Sequence, residues 1–306
     1  MEASEKNDVF SSDNILISDT GHEAAQVGAA YAIRRGYDWV VPYYRDMALM
    51  QCMGLTPTDF MMGLMGKKGD PNSGGRQMPS HWSFRRNNVV THSAPVATQT
   101  PHASGIGLAI KLRGEDKVVL TALGEGSTSQ GEWYEAVNWA AIHKLPVIFI
   151  VENNQYAISE RQDKQMAVKS AADKACGLGL PGITVDGTNT FTVYQAVKEA
   201  VDNARAGNGA TLIETRLYRI TPHSSDDDDR TYRSREEVEE HKKSDPLLVT
   251  QAVLESQGLI TPKKLEEFEA QAKAMVEDAV RRATEAPYPD VSEGLHPVYF
   301  EEVMHA

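Results

Sequence analysis

Along the chain, stretches with helical spacing of apolar positions alternate with short, continuous apolar runs. Residues 22–35 are Ala-rich with helical spacing and predict a helix. Thr56, Pro57 and Asp59 supply an N-cap, a first-turn proline and an early acid, which predicts a helix running to about Leu64. Residues 66–88 are rich in Gly, Lys, Asn and Ser, and a loop of that length signals function rather than mere connection. Helical spacing returns over 98–112. Lys117–Leu123 then predicts a strand, 130–143 a helix, and Pro146–Val151 a strand buried on both faces. Strands at 182–185 and 211–218 flank a further helix over 192–206.

A strand, a glycine turn, a helix and a second strand make a βαβ unit, which requires parallel pairing and a right-handed crossover. The predicted fold class is therefore α/β, a mostly parallel sheet with helices on both faces. After Tyr218 the pattern changes. Residues 220–235 form a polar loop, and from there to Ala286 the chain is helical and charged, with cap-plus-proline starts at Asp245-Pro246 and Thr261-Pro262. No internal repeat is visible. The expected organisation is a polar N-terminal segment (1–20), an α/β domain (21–235) and a helical C-terminal extension (236–306) packed on that domain.

Composition narrows the partners more than the chemistry. A net charge of −12 argues against nucleic acid. Cys52 and Cys176 make neither a disulfide scaffold nor a metal-ligand spacing, so a reduced, cytoplasmic setting is the simplest expectation. Residues 1–19 lack the apolar core of a secretory signal and the Arg-rich character of a transit peptide. No apolar run reaches the roughly 18 residues of a membrane span, so no membrane association is expected.

The chemically informative residues are Gly124-Glu125-Gly126, ending one predicted strand, and Asn153-Asn154, ending the next. Both fall at the carboxyl edge of a parallel sheet, where α/β proteins bind ligands. Glycines there let the backbone approach a diphosphate, and the following helix offers free N–H groups. A bound diphosphate calls for a hard divalent ion, and Glu125 and the Asn154 amide are oxygen donors of the kind magnesium prefers. Either element alone would read as an ordinary βα turn or an Asn-Asn turn. Their pairing on consecutive strands favours cofactor binding. No Gly-x-Gly-x-x-Gly follows an early strand, which argues against a dinucleotide oxidoreductase.

These residues resemble the fingerprint of the thiamin-diphosphate-dependent 2-oxo acid dehydrogenases, usually written with Asp where this chain has Glu125. The Glu form, with the run from Asn153 to Ser159, is similar to α subunits of the E1 component of the branched-chain members, and the resemblance extends from about Gly21 to the C-terminal helices. It implies that Glu125 and Asn154 hold magnesium, with the Tyr156 carbonyl as a third ligand. It implies that Tyr44 and Arg45 bind the diphosphate; arginine's planar fork suits phosphate oxygens. Ser93, Pro95, Thr98 and Gln99 match a monovalent-cation site, for potassium among others, and Val96 matches an apolar contact to the cofactor. Ala94 departs from the pattern, which carries serine there.

His223 lies between Thr221-Pro222 and a run of four aspartates. A lone loop histidine is usually solvated, but this segment resembles the family's active-site loop, whose matching histidine donates a proton as the acyl group passes to lipoamide. An unperturbed pKa near 6.5 suits that task. Arg219 and Tyr232 match residues that order this loop against the cofactor, and the resemblance implies that Arg219 and His223 also contact the cofactor. The glutamate that contacts the cofactor's pyrimidine belongs, in the family, to a second α/β domain, and this chain has one such fold. A separate E1 β subunit, an α2β2 heterotetramer and a lipoyl-bearing E2 transacylase are therefore the implied partners. The implied reaction is oxidative decarboxylation of a branched-chain 2-oxo acid with acyl transfer to the lipoyl group. An α subunit of pyruvate or acetoin dehydrogenase and a non-catalytic scaffold paralogue are the alternatives. Relatives carry a longer segment with a helix before the position of Gly21, so either the N-terminus is truncated here or the chain packs differently against its partner.

Overall fold

The computed structural model describes residues 16–295. The chain opens with α1 (Glu23–Ala32), whose small residues allow close packing. A three-residue strand, β1 (Trp39–Val41), and a short helix, α2 (Met47–Cys52), follow. Helix α3 (Pro57–Leu64) starts as expected on a capping box: the Asp59 N–H donates to Thr56 Oγ1 at 3.1 Å, and the Thr56 N–H donates to Asp59 Oδ2 at 2.8 Å.

Next come α4 (Gln99–Arg113), β2 (Val119–Gly124), α5 (Gly131–Ile142) and β3 (Val147–Asn153). A small hairpin, β4 (Tyr156–Ala157) with β5 (Glu160–Arg161), leads into α6 (Gln162–Gln165) and α7 (Ala171–Gly177). Then β6 (Gly182–Asp186), α8 (Thr190–Arg205) and β7 (Thr211–Arg216) complete the sheet. Helices α9 (Arg235–Lys242), α10 (Pro246–Ser256) and α11 (Pro262–Glu285) follow, the last two starting on the predicted Asp245 and Thr261 caps.

The main sheet has five strands in the order β1-β2-β3-β7-β6, all pairs parallel. β3 lies at its centre and is buried along its whole length, which is why its sequence reads as one apolar run. Its alternate residues serve two cores. Ile148 and Ile150 pack in one cluster with Val193 and Val197 of α8 and Ala29 of α1. Val147, Phe149 and Val151 pack in the other with Ala103 and Ile110 of α4 and Val137 of α5. The predicted α/β class, with helices on both faces, is observed. Close packing of α1 on α8 requires glycine at Gly28, where a Cβ would lie 2.7 Å from the Thr190 carbonyl oxygen.

Three details differ from the sequence reading. A 3-10 turn, Glu125–Ser129, stands between β2 and α5, so the residue after the strand is presented by a tight turn rather than by the helix N-terminus. The strand expected over 211–218 ends at Arg216, where the Leu217 N–H makes the last bond to β3, on the Asn153 carbonyl. Elements as short as β1, α2 and the β4–β5 hairpin carry too few positions for a periodicity to show.

The 66–88 loop is tied down at several points. Asp70 accepts from the N–H groups of Asn72, Ser73 and Gly75 at 2.9, 3.0 and 3.1 Å. The Lys68 N–H donates to the Pro287 carbonyl just beyond α11, and Trp82 Nε1 donates to the Tyr44 carbonyl at 3.2 Å. The loop thereby braces the segment after β1. Of the polar segment expected at 1–20, residues 1–15 lie outside the described residues, as do 296–306 of the helical extension. Among the described residues no helix is long and apolar enough to cross a membrane.

Candidate active site

Four neighbouring strands of the sheet deliver residues to one carboxyl edge: Tyr44 and Arg45 follow β1, Glu125 follows β2, Asn154 follows β3, and Arg219 follows β7. A cavity of about 360 Å³ opens there, lined by Tyr44, Arg45, Val96, Gly124, Glu125, Gly126, Asn154, Tyr156 and His223. Nine of the residues singled out from sequence thus share one space. Gly126 is obligatory in it, since a Cβ there would lie 2.6 Å from that of Ala157.

Glu125 is 1% exposed, and its Oε2 accepts the Asn154 N–H at 3.2 Å. Its Oε1 is buried with no hydrogen-bond partner. A carboxylate oxygen in that condition is costly unless a cation meets it. Burial pushes the Glu125 carboxyl up to about 7, against the opposing pull of the Asn154 N–H and of the Arg219 and Arg45 charges. Asn154 is held at both ends of its amide: Oδ1 accepts the Tyr156 N–H at 3.2 Å, and Nδ2 lies 3.0 Å from His22 Nε2.

Comparison with known proteins places this architecture. Residues 11–292 match the family described as dehydrogenase E1 component. The chain belongs to that family. It is 52% identical over 284 residues to the 2-oxoisovalerate dehydrogenase subunit alpha of Bacillus subtilis, covering 93% of this chain and 86% of the relative. It is 39% identical over 281 residues to the 3-methyl-2-oxobutanoate dehydrogenase subunit alpha of Mycobacterium tuberculosis, covering 92% and 74% respectively. It is also 39% identical over 264 residues to the pyruvate dehydrogenase E1 component subunit alpha of Staphylococcus aureus, covering 86% and 68%.

In this E1 chain the cationic side of the cavity is Arg45, 2% exposed, with Nη1 donating to the Ser18 carbonyl and Nη2 lying 3.3 Å from His223 Nδ1. Its Nε has no partner. Arg219 does not line the cavity but is fully buried behind it, donating to the Tyr156 carbonyl at 3.3 Å, the Ile158 carbonyl at 2.7 Å and Tyr232 Oη at 2.8 Å. Tyr232 Oη in turn donates to Asp227 Oδ2, which accepts the His223 N–H at 2.8 Å. Arg219 and Tyr232 are therefore linked to the histidine loop through one acidic residue. Asp229 is turned inward to a 2.7 Å ion pair with the buried Arg233, so part of the aspartate run is structural rather than hydrated.

The residues matched to a monovalent-cation site are less gathered. Ser93 and Pro95 do not line the cavity, although Ala94 and Val96 beside them do. Thr98 Oγ1 donates to Glu132 at 2.7 Å. Gln99 is buried with Nε2 on the Ala122 carbonyl at 2.9 Å and Oε1 without a partner.

Several buried residues under the site escaped the sequence reading. Gln26 Nε2 donates to the Arg45 carbonyl at 3.0 Å and to Glu152 Oε2 at 3.2 Å; the Tyr43 hydroxyl donates to Glu152 at 2.7 Å, and the Tyr43 N–H donates to Asp46 at 2.8 Å. Burial pushes Glu152 up to about 7 and Asp46 well above the usual carboxylate range, the latter with help from Glu152's charge. Glu214 accepts from Asn153 Nδ2 at 2.6 Å and from the Ala171 N–H at 2.9 Å, fixing the end of β3 to the start of α7. Apart from the Tyr43–Asp46 bond, which spans three residues, these contacts join residues remote in sequence and so show in no local pattern.

Proposed function

We propose that this chain is the α subunit of a branched-chain 2-oxo acid dehydrogenase E1 component, contributing the half-site for the diphosphate and magnesium of thiamin diphosphate. The observation that carries the reading is Glu125: a buried carboxylate with an unpartnered oxygen, joined to Asn154 across β2 and β3, beside the buried guanidinium of Arg45. Orphaned donors and acceptors of both signs in one cavity fit an anionic group with its own counter-cation. No group of three or more His, Cys, Asp or Glu that could hold a metal occurs among the described residues. That suits an ion whose remaining ligands come from amide, carbonyl, phosphate and water.

On this reading Glu125 and Asn154 would hold magnesium, with the Tyr156 carbonyl as a further oxygen, and Tyr44 and Arg45 would hold the diphosphate. Gly124 and Gly126 keep the wall open, and Val96 gives an apolar contact. Gln99, with Ser93, Pro95 and Thr98, would take a monovalent cation. When bound, thiamin diphosphate supplies the electron sink for decarboxylation. His223 holds a proton for transfer of the acyl group to a lipoyl domain. An E1 β subunit would complete the site in an α2β2 assembly, in the cytoplasm.

The names of the Bacillus and Mycobacterium relatives support a branched-chain substrate, and the name of the Staphylococcus relative keeps pyruvate as the second reading. The test is a calorimetric titration of thiamin diphosphate, with and without magnesium, into the chain alone and co-expressed with a β subunit. Magnesium-dependent binding by the pair, followed by faster turnover of 3-methyl-2-oxobutanoate than of pyruvate, is expected. Absence of binding by the pair overturns the reading, and preference for pyruvate overturns its substrate.

A further inference from the structure

His22 stands at the start of α1, fully buried, and the mechanism above does not use it. Among the described residues its ring makes one side-chain hydrogen bond, to the amide of Asn154, with Nε2 3.0 Å from Nδ2. Which amide atom faces the ring is decided by a third group. The Tyr156 N–H is an unambiguous donor, and it meets the other end of the same amide at 3.2 Å, so that end is the oxygen. The NH2 therefore faces His22. An NH2 cannot accept, so Nε2 must be the acceptor and the ring proton sits on Nδ1, which is buried with no hydrogen-bond partner of its own and so does not itself fix the tautomer.

We propose that His22 is a positioning residue for the metal site: by accepting the Asn154 NH2 it fixes the amide so that Oδ1, whose second lone pair is uncommitted, remains the atom presented beside Glu125. This rests on Asn154 being a magnesium ligand. The constraint is needed because an amide is nearly symmetric in shape. A flipped Asn154 would present a donor to a cation, and the Tyr156 N–H alone opposes the flip from only one end. Groups behind a metal ligand that fix its orientation typically change metal affinity by about 10–100-fold when removed.

The experiment compares the unsubstituted chain, His22→Leu and His22→Gln, each co-expressed with a β subunit and titrated calorimetrically with magnesium in the presence of thiamin diphosphate. His22→Leu, which leaves the Asn154 NH2 buried without an acceptor, is expected to weaken magnesium about 10–100-fold. His22→Gln, which can offer an oxygen to the same NH2, is expected to restore most of it. Full affinity in His22→Leu overturns the proposal, as does an equal loss in both variants. No magnesium dependence in the unsubstituted pair instead overturns the functional reading beneath it. A measurement independent of any folding defect is 15N NMR of the unsubstituted chain. The expected signature is a proton on Nδ1 with a hydrogen-bonded, unprotonated Nε2. A proton on Nε2 overturns the proposal.

Discussion

The Arg45 guanidinium and the His223 imidazole, 178 residues apart in sequence, meet with Nη2 3.3 Å from Nδ1. A guanidinium only donates, so Nδ1 accepts and the neutral ring carries its proton on Nε2. Burial first, then the charges of Arg45 and Arg219, brings the imidazole down to about 4. In the cofactor-free chain His223 is therefore expected to titrate near that value. A bound diphosphate would offset the Arg45 charge, and the pKa is expected to rise. The stability sign follows from linkage: the unfolded ring protonates near 6.5, the folded one later, so His223 contributes stability above pH 6.5 that is lost as pH falls toward 4. NMR titration of the histidine ring with and without thiamin diphosphate and magnesium reads this directly. A pKa unmoved by the cofactor would break the link to Arg45.

Removing the imidazole separates two steps. His223→Ala is expected to spare decarboxylation measured with an artificial electron acceptor while slowing acyl transfer to lipoamide by about 10²–10⁴-fold, the usual range for a general acid. Equal losses in both assays would point to cofactor binding or loop order, because the His223 N–H is also tied to Asp227.

Glu125 and Asn154 act on one group in the proposed site, so their loss should look alike. Glu125→Ala and Asn154→Ala are each expected to abolish magnesium-dependent binding of thiamin diphosphate, a loss of at least about 1.5–3 kcal/mol if each supplies one charge-assisted contact. Calorimetry in parallel with and without magnesium checks it. Normal affinity in either variant would falsify the metal assignment.

How far the sequence carried depends on whether the signal was local. The apolar run before Asn153 announced a buried strand because both faces of β3 meet helices. Thr56 with Asp59 announced α3 because a capping box acts within one turn. Glu125 and Asn154 were legible from their place after two consecutive predicted strands, while Tyr44, Arg45 and His223 were named from resemblance, and the sheet order explains why they converge: neighbouring strands place them at one carboxyl edge. His22, Gln26, Glu152 and Glu214 were not legible. Each exerts its effect through a partner dozens of residues away, as in the 126-residue separation of Gln26 from Glu152. Burial of such groups depends on packing that no window of sequence contains.

The two glycines of the β2 turn are expected to tolerate alanine very differently, although the motif treats them alike. At Gly126 a Cβ would lie 2.6 Å from the Ala157 Cβ and 3.5 Å from its Cα. Relief requires moving the β4–β5 hairpin, which carries Tyr156 and receives Arg219 on the Tyr156 carbonyl. Gly126→Ala is therefore expected to destabilise the chain by about 1–3 kcal/mol, the range for overpacking, and to weaken the cofactor as well. At Gly124 a Cβ would meet nothing within 4 Å, and the backbone φ of −75° suits any residue. Gly124→Ala should leave stability within about 0.5 kcal/mol, as surface substitutions do. Because Gly124 lines the cavity, its added methyl should still lower cofactor affinity. Urea denaturation of both variants without cofactor, then calorimetry with it, separates the two effects. Equal destabilisation by both substitutions would show that the motif's glycines serve the backbone of the turn rather than the space beside it.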